Sequence, residues 1–173
     1  MMVGMTATEL RAVQAPLKQR YRDDPTTALI TLRADGELAS GVSCSVQTGQ
    51  ALVNAGLHPG TGGDGLSACS GDMLLQALVA CAGVTLSAVA TSLELTVTGS
   101  VHAEGDLDFR GTLGVDREAP VGFQEIRLRF DLSTDATEEQ LATLTRLTER
   151  YCVVYQTLAH PPSLRVTRTG SPP

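Results

Sequence analysis

Apolar and polar residues alternate along several short stretches of the chain, and this alternation predicts strands. The clearest stretch is FQEIRLRFDL, where Ile126, Leu128 and Phe130 are apolar and the residues between them are arginines. A period of two places one face of a strand in the core and the other in water. Weaker alternation predicts a two-stranded hairpin at 28–46 that turns at Asp35-Gly36. Further strands are predicted at 97–109, 109–115 and 163–169.

One long stretch is apolar on all sides. From Met73 to Ser92 there is no charged residue, and apolar residues fall all around a helical wheel. Such a helix lies deep in a core or in a membrane. Its length is about the 20 residues that a bilayer needs, but no Lys or Arg stands at either end to orient it, so we predict a core helix and no membrane. One sheet can cover only one side of this helix. We therefore predict that a second copy of the chain, related by a two-fold axis, covers the other side.

A second helix is predicted to begin at Thr137, because Thr137 and Gln140 fit a capping box. It continues to His160, since Pro161 disfavours helical structure at the residue before it. The apolar stripe of this helix consists of Leu141, Leu144, Leu147, Tyr151 and Leu158.

The order of these elements is ββ-α-βββ-α-β, which is typical of an α+β fold rather than a doubly wound one. The length of 173 residues predicts a single domain, 1–173. We divide it into an N-terminal arm at 1–26, a core at 27–167 and a loose tail at 168–173. Within the arm, a short helix is predicted that is broken by Pro16.

The net charge limits the partners that the chain can bind, and its first residues and cysteines indicate its compartment. The net charge of −6 and the isoelectric point near 5.0 exclude a nucleic-acid surface, which needs a concentrated basic face. The start, MMVGMTATELRAV, has neither the basic end nor the apolar core of a signal peptide. Four scattered cysteines do not look like the framework of a secreted disulfide-rich protein. We therefore predict a cytoplasmic protein with reduced thiols.

Two of the cysteines fall in predicted helices and are candidates for redox chemistry. Cys81 lies in the apolar helix and Cys152 in the second helix, 71 residues later. A fold that brings them together would make a redox pair, whereas each one taken singly is interpreted as a buried packing residue. Cys69 is predicted to be structural, because along a continuous helix it would stand roughly 18 Å from Cys81. Cys44 alternates within a predicted strand and is a core candidate.

The histidines and the glycine-rich stretch predict no further site. None of His58, His102 and His160 has metal-ligand spacing with a cysteine, so a zinc site is not expected. His58 is predicted to be a turn residue, although a place near the site stays open. The GTGGDG stretch lacks the Lys and Ser/Thr of a phosphate loop and predicts a flexible turn.

Two blocks of the sequence belong together, SGDMLLQALVACAGVTLSAVA and LTERYCVVYQTLAHPP. As a pair they resemble the OsmC/Ohr family of osmotically inducible and organic-hydroperoxide-resistance proteins, from about residue 27 to 167. The resemblance implies an intertwined homodimer in which antiparallel sheets wrap long central helices. It implies a thiol-dependent peroxidase that reduces organic hydroperoxides, with Cys81 as the peroxidatic and Cys152 as the resolving residue. An external dithiol would be the reductant, and no metal, flavin or haem is implied.

The sequence departs from this resemblance near the reactive cysteine. The family has a Glu ten residues before it, paired with an Arg from the N-terminal part, and Gly71 stands at that Glu position. Asp72 is the neighbouring carboxylate. A cysteine in mid-helix gains nothing from the N-terminus of that helix, and apolar surroundings raise the pKa of a thiol. We therefore expect Cys81 to be a sluggish nucleophile that needs an Arg. The candidate arginines are Arg20, Arg22 and Arg33.

Two other functions stay open on the sequence. In the first, the apolar cleft at the dimer interface binds a small apolar ligand, and the protein is non-catalytic or senses redox state. In the second, the fold is a structural relic without activity. The missing Glu favours these alternatives, and the retained Cys81/Cys152 pair favours the enzyme.

Overall fold

Two separate sheets and three main helices make up an α+β fold. The computed structural model describes residues 6–23, 35–39, 43–48, 51–114 and 116–170. In chain order, the helices are α1 (Ala7–Asp23), α2 (Ser70–Ser92), α3 (Phe109–Thr112), α4 (Glu138–Tyr151) and α5 (Val153–Ala159). The strands are β1 (Asp35–Ala39), β2 (Ser43–Thr48), β3 (Ala51–Gly56), β4 (Ala68–Cys69), β5 (Val97–Asp106) and β6 (Glu125–Thr134). A single 3₁₀ turn, Pro59–Thr61, lies between β3 and β4.

The first sheet has the strand order β1-β2-β3-β4. Its first three strands are antiparallel, and the short β4 is parallel to β3 and leads directly into α2. The second sheet is the long hairpin of β5 and β6, paired from Val97 with Thr134 to Asp106 with Glu125. Along β6 the burial of side chains alternates at every residue, which confirms the predicted strand.

Helix α2 is the central element of the described structure. Four of its side chains lie on one stripe and are buried: Leu78, Ala82, Leu86 and Ala90. Leu86 and Ala90 pack with Leu144 of α4 into a small core, which half-buried residues of β5 and β6 extend. The opposite stripe is exposed, and the side chain of Val84 is 72% accessible. The helix is therefore apolar all round, and the described residues cover one side of it.

By length and composition alone, α2 could cross a bilayer, and it is the one such helix among the described residues. The core helix of a soluble protein meets the same criteria. Here α2 packs along β5, α4 and α5, which is the arrangement expected of a core helix.

The predicted capping box at the start of α4 is confirmed. The backbone N–H of Gln140 donates to Thr137 Oγ1 at 3.3 Å, and the backbone N–H of Thr137 donates to Gln140 Oε1 at 2.8 Å. The helix that follows was predicted to run unbroken to His160. That prediction is wrong, because Cys152 interrupts it and divides it into α4 and α5. The end at His160 is confirmed.

Two predictions near the N-terminus are wrong. Helix α1 continues through Pro16, although an interior proline removes one main-chain hydrogen bond and crowds the preceding turn. The hairpin of β1 and β2 does not turn at Asp35-Gly36, because both residues lie in β1 and pair with Gln47 and Val46. The connection falls at 40–42, outside the described residues. Pairing along the strands, rather than the Asp-Gly signal, sets the register.

Three further segments differ from the sequence prediction. The predicted strand at 109–115 begins instead with α3, whose first turn is capped by Asp108 Oδ1 accepting from the backbone N–H of Arg110 at 3.0 Å. The stretch 161–170 has no regular structure and is exposed throughout, so the strand predicted there is not formed. Strand β3 was not predicted at all.

The backbone of β5 at Gly99, which pairs with Leu132 of β6, generates a stability prediction. Gly99 has φ of +139°, and a Cβ added there would lie 2.0 Å from the carbonyl oxygen of Asp131. We expect Gly99→Ala to lower the free energy of unfolding by about 3 kcal/mol or more. Gly122→Ala is the control, because a Cβ at Gly122 meets nothing within 4 Å. Urea denaturation measures both, and equal midpoints for the two variants would contradict the strain at Gly99.

Candidate active site

Cys152 is the single residue between α4 and α5, and its backbone conformation positions the groups of the site. Cys152 has an extended backbone, with φ of −72° and ψ of 110°. Its N–H donates to the carbonyl of Thr148 at 2.9 Å and completes α4. Its sulfur accepts from the backbone N–H of Tyr155 at 3.5 Å and caps α5. Because the first residues of a helix have N–H groups without partners in that helix, the break leaves the N–H groups of Val153 and Val154 unused by α5.

These N–H groups lower the pKa of the Cys81 thiol. Cys81 is half-buried in the middle of α2. Burial raises the pKa of its thiol, but four donors counteract burial: the backbone N–H of Val154, the Cys152 thiol, the backbone N–H of Val153 and the Thr85 hydroxyl. Together they hold the pKa of Cys81 below its ordinary value. The arrangement stabilises a thiolate at Cys81.

Cys152 has the opposite environment. It is fully buried, with 0% exposure, and this burial raises the pKa of its thiol. The N–H of Tyr155 lowers this pKa, whereas the neighbouring Cys81 raises it through both its hydrogen bond and its charge. The pKa of Cys81 therefore lies below that of Cys152, so Cys81 is the first of the two thiols to ionise. Disulfide chemistry begins from the thiol that ionises more readily.

Cys81 lies far from the N-terminus of α2, as expected. The main-chain groups that lower the pKa of its thiol belong to the N-terminus of α5, a different helix. The role of the Val153 and Val154 N–H groups could not be predicted from the sequence, because no local pattern indicates a helix break at Cys152. Thr85 was missed as well, although its position one turn after Cys81 in α2 places both residues on one face.

The other residues predicted to support the site do not all reach it. Asp72 is exposed in the first turn of α2, roughly 14 Å from Cys81 along the helix axis at about 1.5 Å per residue. Arg20 and Arg22 lie in α1, but their side chains are outside the described part of the structure. The whole of Arg33 is outside it too.

Gly71 and Cys69 lie at the far end of α2. A Cβ at Gly71 would stand 3.4 Å from the ring of Phe123, 3.6 Å from Cys69 Sγ and 3.7 Å from Leu107 Cδ1. These are ordinary contacts, so the position has space for a side chain, but its surroundings are apolar. Cys69 is a free cysteine at the first residue before α2, and the helix separates it from Cys81. Cys44 lies in β2, and its side chain is outside the described part.

Two of the histidines lie outside the site, His58 in a turn and His102 on the surface of β5. His58 Nδ1 accepts from the backbone N–H of Gly60 at 2.9 Å, and its ring packs 5.0 Å from that of Phe109, as predicted for a turn residue. His102 Nε2 lies 2.8 Å from Ser100 Oγ and 3.4 Å from Asp131 Oδ2. Both contacts use the same nitrogen, so this is not a hydrolase triad, in which opposite ring nitrogens are engaged. Within the described ranges, no group of three His, Cys, Asp or Glu residues could hold a metal ion.

A groove of ≈580 Å³ lies between α1, α2 and α4. Its lining is mostly apolar and consists of Gln14, Val84, Thr85, Ala88, Val89, Ser92, Leu93, Leu147 and Tyr151. Neither Cys81 nor Cys152 lines it, but Thr85 stands one turn after Cys81 on α2, and Tyr151 precedes Cys152.

This geometry agrees with a comparison against protein families. A model of the OsmC-like proteins matches residues 62–167, which is more than half of the chain and includes both cysteines. The chain belongs to the OsmC-like protein family. Membership associates it with cysteine-based peroxidase chemistry and with the response to oxidative stress. No curated protein matches the sequence.

Solved structures share the fold of this OsmC-like protein. It is similar to an OsmC-like protein from Mycoplasma pneumoniae, with a TM-score of 0.63 and 17% identity over 76% of this chain and 89% of that one. A Vibrio cholerae OsmC-like protein of unknown function gives 0.60 and 13% identity, covering 75% and 94%. An organic hydroperoxide resistance protein from Elizabethkingia anophelis gives 0.57 and 16% identity, covering 77% and 91%. At such identities the likeness shows the fold alone, and it confirms the predicted α+β, OsmC-like class.

The opposite pKa shifts of the two thiols generate a prediction. In a protein with Cys44 and Cys69 replaced by Ser, Cys81 should be alkylated by iodoacetamide at lower pH than Cys152, because only the thiolate reacts. Mass spectrometry of the two cysteine peptides across pH measures both titrations. A Cys81 titration at or above the pH of a free thiol, about 8.5, would contradict the donor arrangement.

Proposed function

We propose that this protein is a cytoplasmic, homodimeric thiol peroxidase that reduces organic hydroperoxides, with Cys81 as the peroxidatic and Cys152 as the resolving residue. The observation that carries the proposal is that the two thiols act on each other, with the pKa of Cys81 lowered and that of Cys152 raised. A peroxidatic cysteine must be a thiolate at neutral pH, and a resolving cysteine must stay within reach of it.

In the first step, the thiolate sulfur of Cys81 attacks the terminal oxygen of ROOH. A sulfur–oxygen bond forms, the O–O bond breaks, and the alkoxide RO⁻ leaves and takes a proton from water to give ROH. The sulfur is oxidised by two electrons to the sulfenic acid, and the hydroperoxide is reduced by the same two.

In the second step, the sulfur of Cys152 attacks the sulfur of the sulfenic acid. A disulfide forms, and the hydroxyl leaves as water with the proton of the Cys152 thiol. An external dithiol then reduces the disulfide to two thiols and is itself oxidised to a disulfide. A guanidinium of Arg20 or Arg22 would add to the charge stabilisation of the first step, whereas Asp72 stands too far along α2 to pair with it there.

The preference for an organic hydroperoxide rests on the groove beside Thr85. Its lining by valine, alanine and leucine side chains favours the apolar R group over the small, polar hydrogen peroxide. The fold shared with the organic hydroperoxide resistance protein of Elizabethkingia anophelis supports the same choice. The cytoplasmic compartment is inferred from the free thiols at Cys69, Cys81 and Cys152, since cytosolic thiols are kept reduced.

The homodimer rests on the uncovered stripe of α2. Its exposed members are Leu74, Ala77, Ala80, Val84 and Ser87. Tyr151 and Val153 beside the thiol pair are also exposed, at 59% and 69%. Contiguous apolar surface of this kind marks an interaction site, and a second copy of α2 offers small residues that allow close approach.

An alternative function is the binding of a small apolar ligand in the same groove, with the thiols idle or sensing redox state. The observation that favours it is Gly71, whose apolar surroundings hold no carboxylate of the kind that the family resemblance implies. Consumption of many equivalents of hydroperoxide, with an excess of a dithiol, decides between the two functions, because idle or sensing thiols would not sustain it.

The covalent roles lead to a prediction on cysteine variants. Cys81→Ser should abolish the consumption of cumene hydroperoxide. Cys152→Ser should consume one equivalent and then stop at the sulfenic acid, which dimedone labelling and mass spectrometry detect. Cys69→Ser is the control and should turn over like the parent. Peroxide consumption by Cys81→Ser at the parent rate would refute the enzyme, and a Cys69–Cys81 disulfide with free Cys152 would refute the resolving role.

The dimer leads to a separate prediction. The parent should sediment as a dimer at low micromolar concentration. Val84→Glu should weaken that dimer, because it places a charge in the middle of the apolar stripe. Val121→Glu is the control, since Val121 is similarly exposed, at 64%, but lies in the loop before β6 and not on the exposed stripe of α2. A parent that sediments as a stable monomer would overturn the proposed interface.

A further inference from the structure

The C-terminal part of the chain carries the opposite charge to the rest of it. Residues 141–173 contain four arginines, one glutamate and no other Lys or Asp, which gives a net charge of +3. Residues 1–140 hold the other 9 basic and 18 acidic residues, which gives a net charge of −9. Charge asymmetry of this kind within one domain indicates a surface for a partner of the opposite sign.

The four arginines of residues 141–173 have no carboxylate partners in the described structure. Their side chains are all exposed. The ion pairs formed among the described residues engage four other arginines, which are Arg11, Arg110, Arg127 and Arg129. The positive charge of the C-terminal part is therefore not neutralised by the acidic remainder of the chain and stays available to a ligand.

Two of these arginines lie beside the helix break at Cys152. Arg146 and Arg150 stand one turn apart on the exposed face of α4, and together with His160 at the end of α5 they line an open groove of ≈690 Å³. The guanidinium of Arg150 lies 5.8 Å from the centre of the Tyr151 ring, next to Cys152 in the chain. No residue of α2 lines this groove, so it is separate from the stripe of α2 that the proposed dimer would cover.

We propose that this basic groove docks the reductant of the Cys81–Cys152 disulfide, and that the reductant is a dithiol carried by an acidic polypeptide. The inference rests on the proposed function, whose cycle needs an external dithiol. Glu149 is the one carboxylate in the lining of the groove, and the two arginines outweigh its charge. A net charge of +3 suits a short run of Asp or Glu, whereas nucleic acid presents a charge about every 1.7 Å and needs a longer basic track.

The docked dithiol would reduce the protein in two exchanges. A thiolate of the partner attacks the sulfur of Cys81, because Cys81 is half-buried whereas Cys152 has no exposed surface. A mixed disulfide forms, the Cys81–Cys152 bond breaks, and the Cys152 sulfur takes a proton. The second thiolate of the partner then attacks the partner sulfur of the mixed disulfide and releases Cys81. Two electrons and two protons pass from the dithiol to the protein, and the partner leaves as a disulfide.

The test uses two synthetic peptides that share a Cys-Gly-Pro-Cys dithiol, one flanked by glutamates and the other by lysines. The protein, with Cys44 and Cys69 replaced by Ser, is oxidised with diamide, so that no hydroperoxide is needed. Loss of the disulfide is followed by acid quenching and mass spectrometry. At low ionic strength, Arg146→Glu/Arg150→Glu should slow reduction by the glutamate peptide roughly tenfold, because repulsion replaces electrostatic steering. The same variant should accelerate reduction by the lysine peptide.

Three controls isolate the effect of the groove. Arg117→Glu and Arg150→Glu change the net charge equally, and Arg117 is also exposed and unpaired within the described ranges, but it lies in the loop before β6. Arg150→Glu should slow the glutamate peptide, whereas Arg117→Glu should leave its rate unchanged. Neutral dithiothreitol should reduce the parent and every variant at one rate. In about 1 M salt, where charges are screened beyond roughly 3 Å, the variants should match the parent.

The outcomes separate this inference from the proposed function. Equal rates of the glutamate peptide with the parent and Arg146→Glu/Arg150→Glu would overturn the docking surface while leaving the peroxidase intact. Equal slowing in Arg117→Glu would trace the effect to overall net charge and would overturn it as well. A parent that consumes no hydroperoxide would overturn the peroxidase, whereas a charge-dependent reduction confined to the groove variants would still establish the docking surface.

Discussion

The break in the helix at Cys152 is the constraint on which the site depends. In a continuous helix, the N–H groups of Val153 and Val154 would bond carbonyls one turn earlier. With Cys152 extended, these groups act on the sulfur of Cys81 instead, and the buried thiol of Cys152 meets the same sulfur. One local change of the backbone thus supplies two main-chain donors and the second thiol. It also sets the order of the two pKa values, because a thiolate at Cys81 makes ionisation of Cys152 more costly.

The donors around Cys81 differ from the ion pair that the family resemblance implies. Backbone N–H groups and the hydroxyl of Thr85 are neutral and do not titrate near physiological pH, so their support does not depend on the protonation of another group. At Gly71 the nearest groups include the side chains of Phe123 and Leu107, where an unpaired carboxylate would be costly to bury. Within the described residues, neutral donors therefore lower the pKa of the thiol.

The two faces of α2 have different environments, one in the core and one exposed. The stripe that contains Leu86 and Ala90 builds the small core with α4. The stripe that contains Val84 is exposed and borders the apolar groove between α1, α2 and α4. The proposed dimer would cover this second stripe, and the groove would then lie at the interface. Folding, assembly and access to the reactive sulfur would in that case all depend on one helix.

Short-range patterns in the sequence determined the strand β6, the capping box at Thr137 and the apolar helix α2, because each of these depends on residues within a few positions of one another. The two blocks around the cysteines also determined the family. Only the tertiary structure decided the register of β1, in which Asp35-Gly36 pairs instead of turning, and the break at Cys152. It alone placed the donors around Cys81. The reason is physical: these features arise from contacts between segments far apart in the chain, and a local pattern holds no information about the partner that a main-chain N–H group will find.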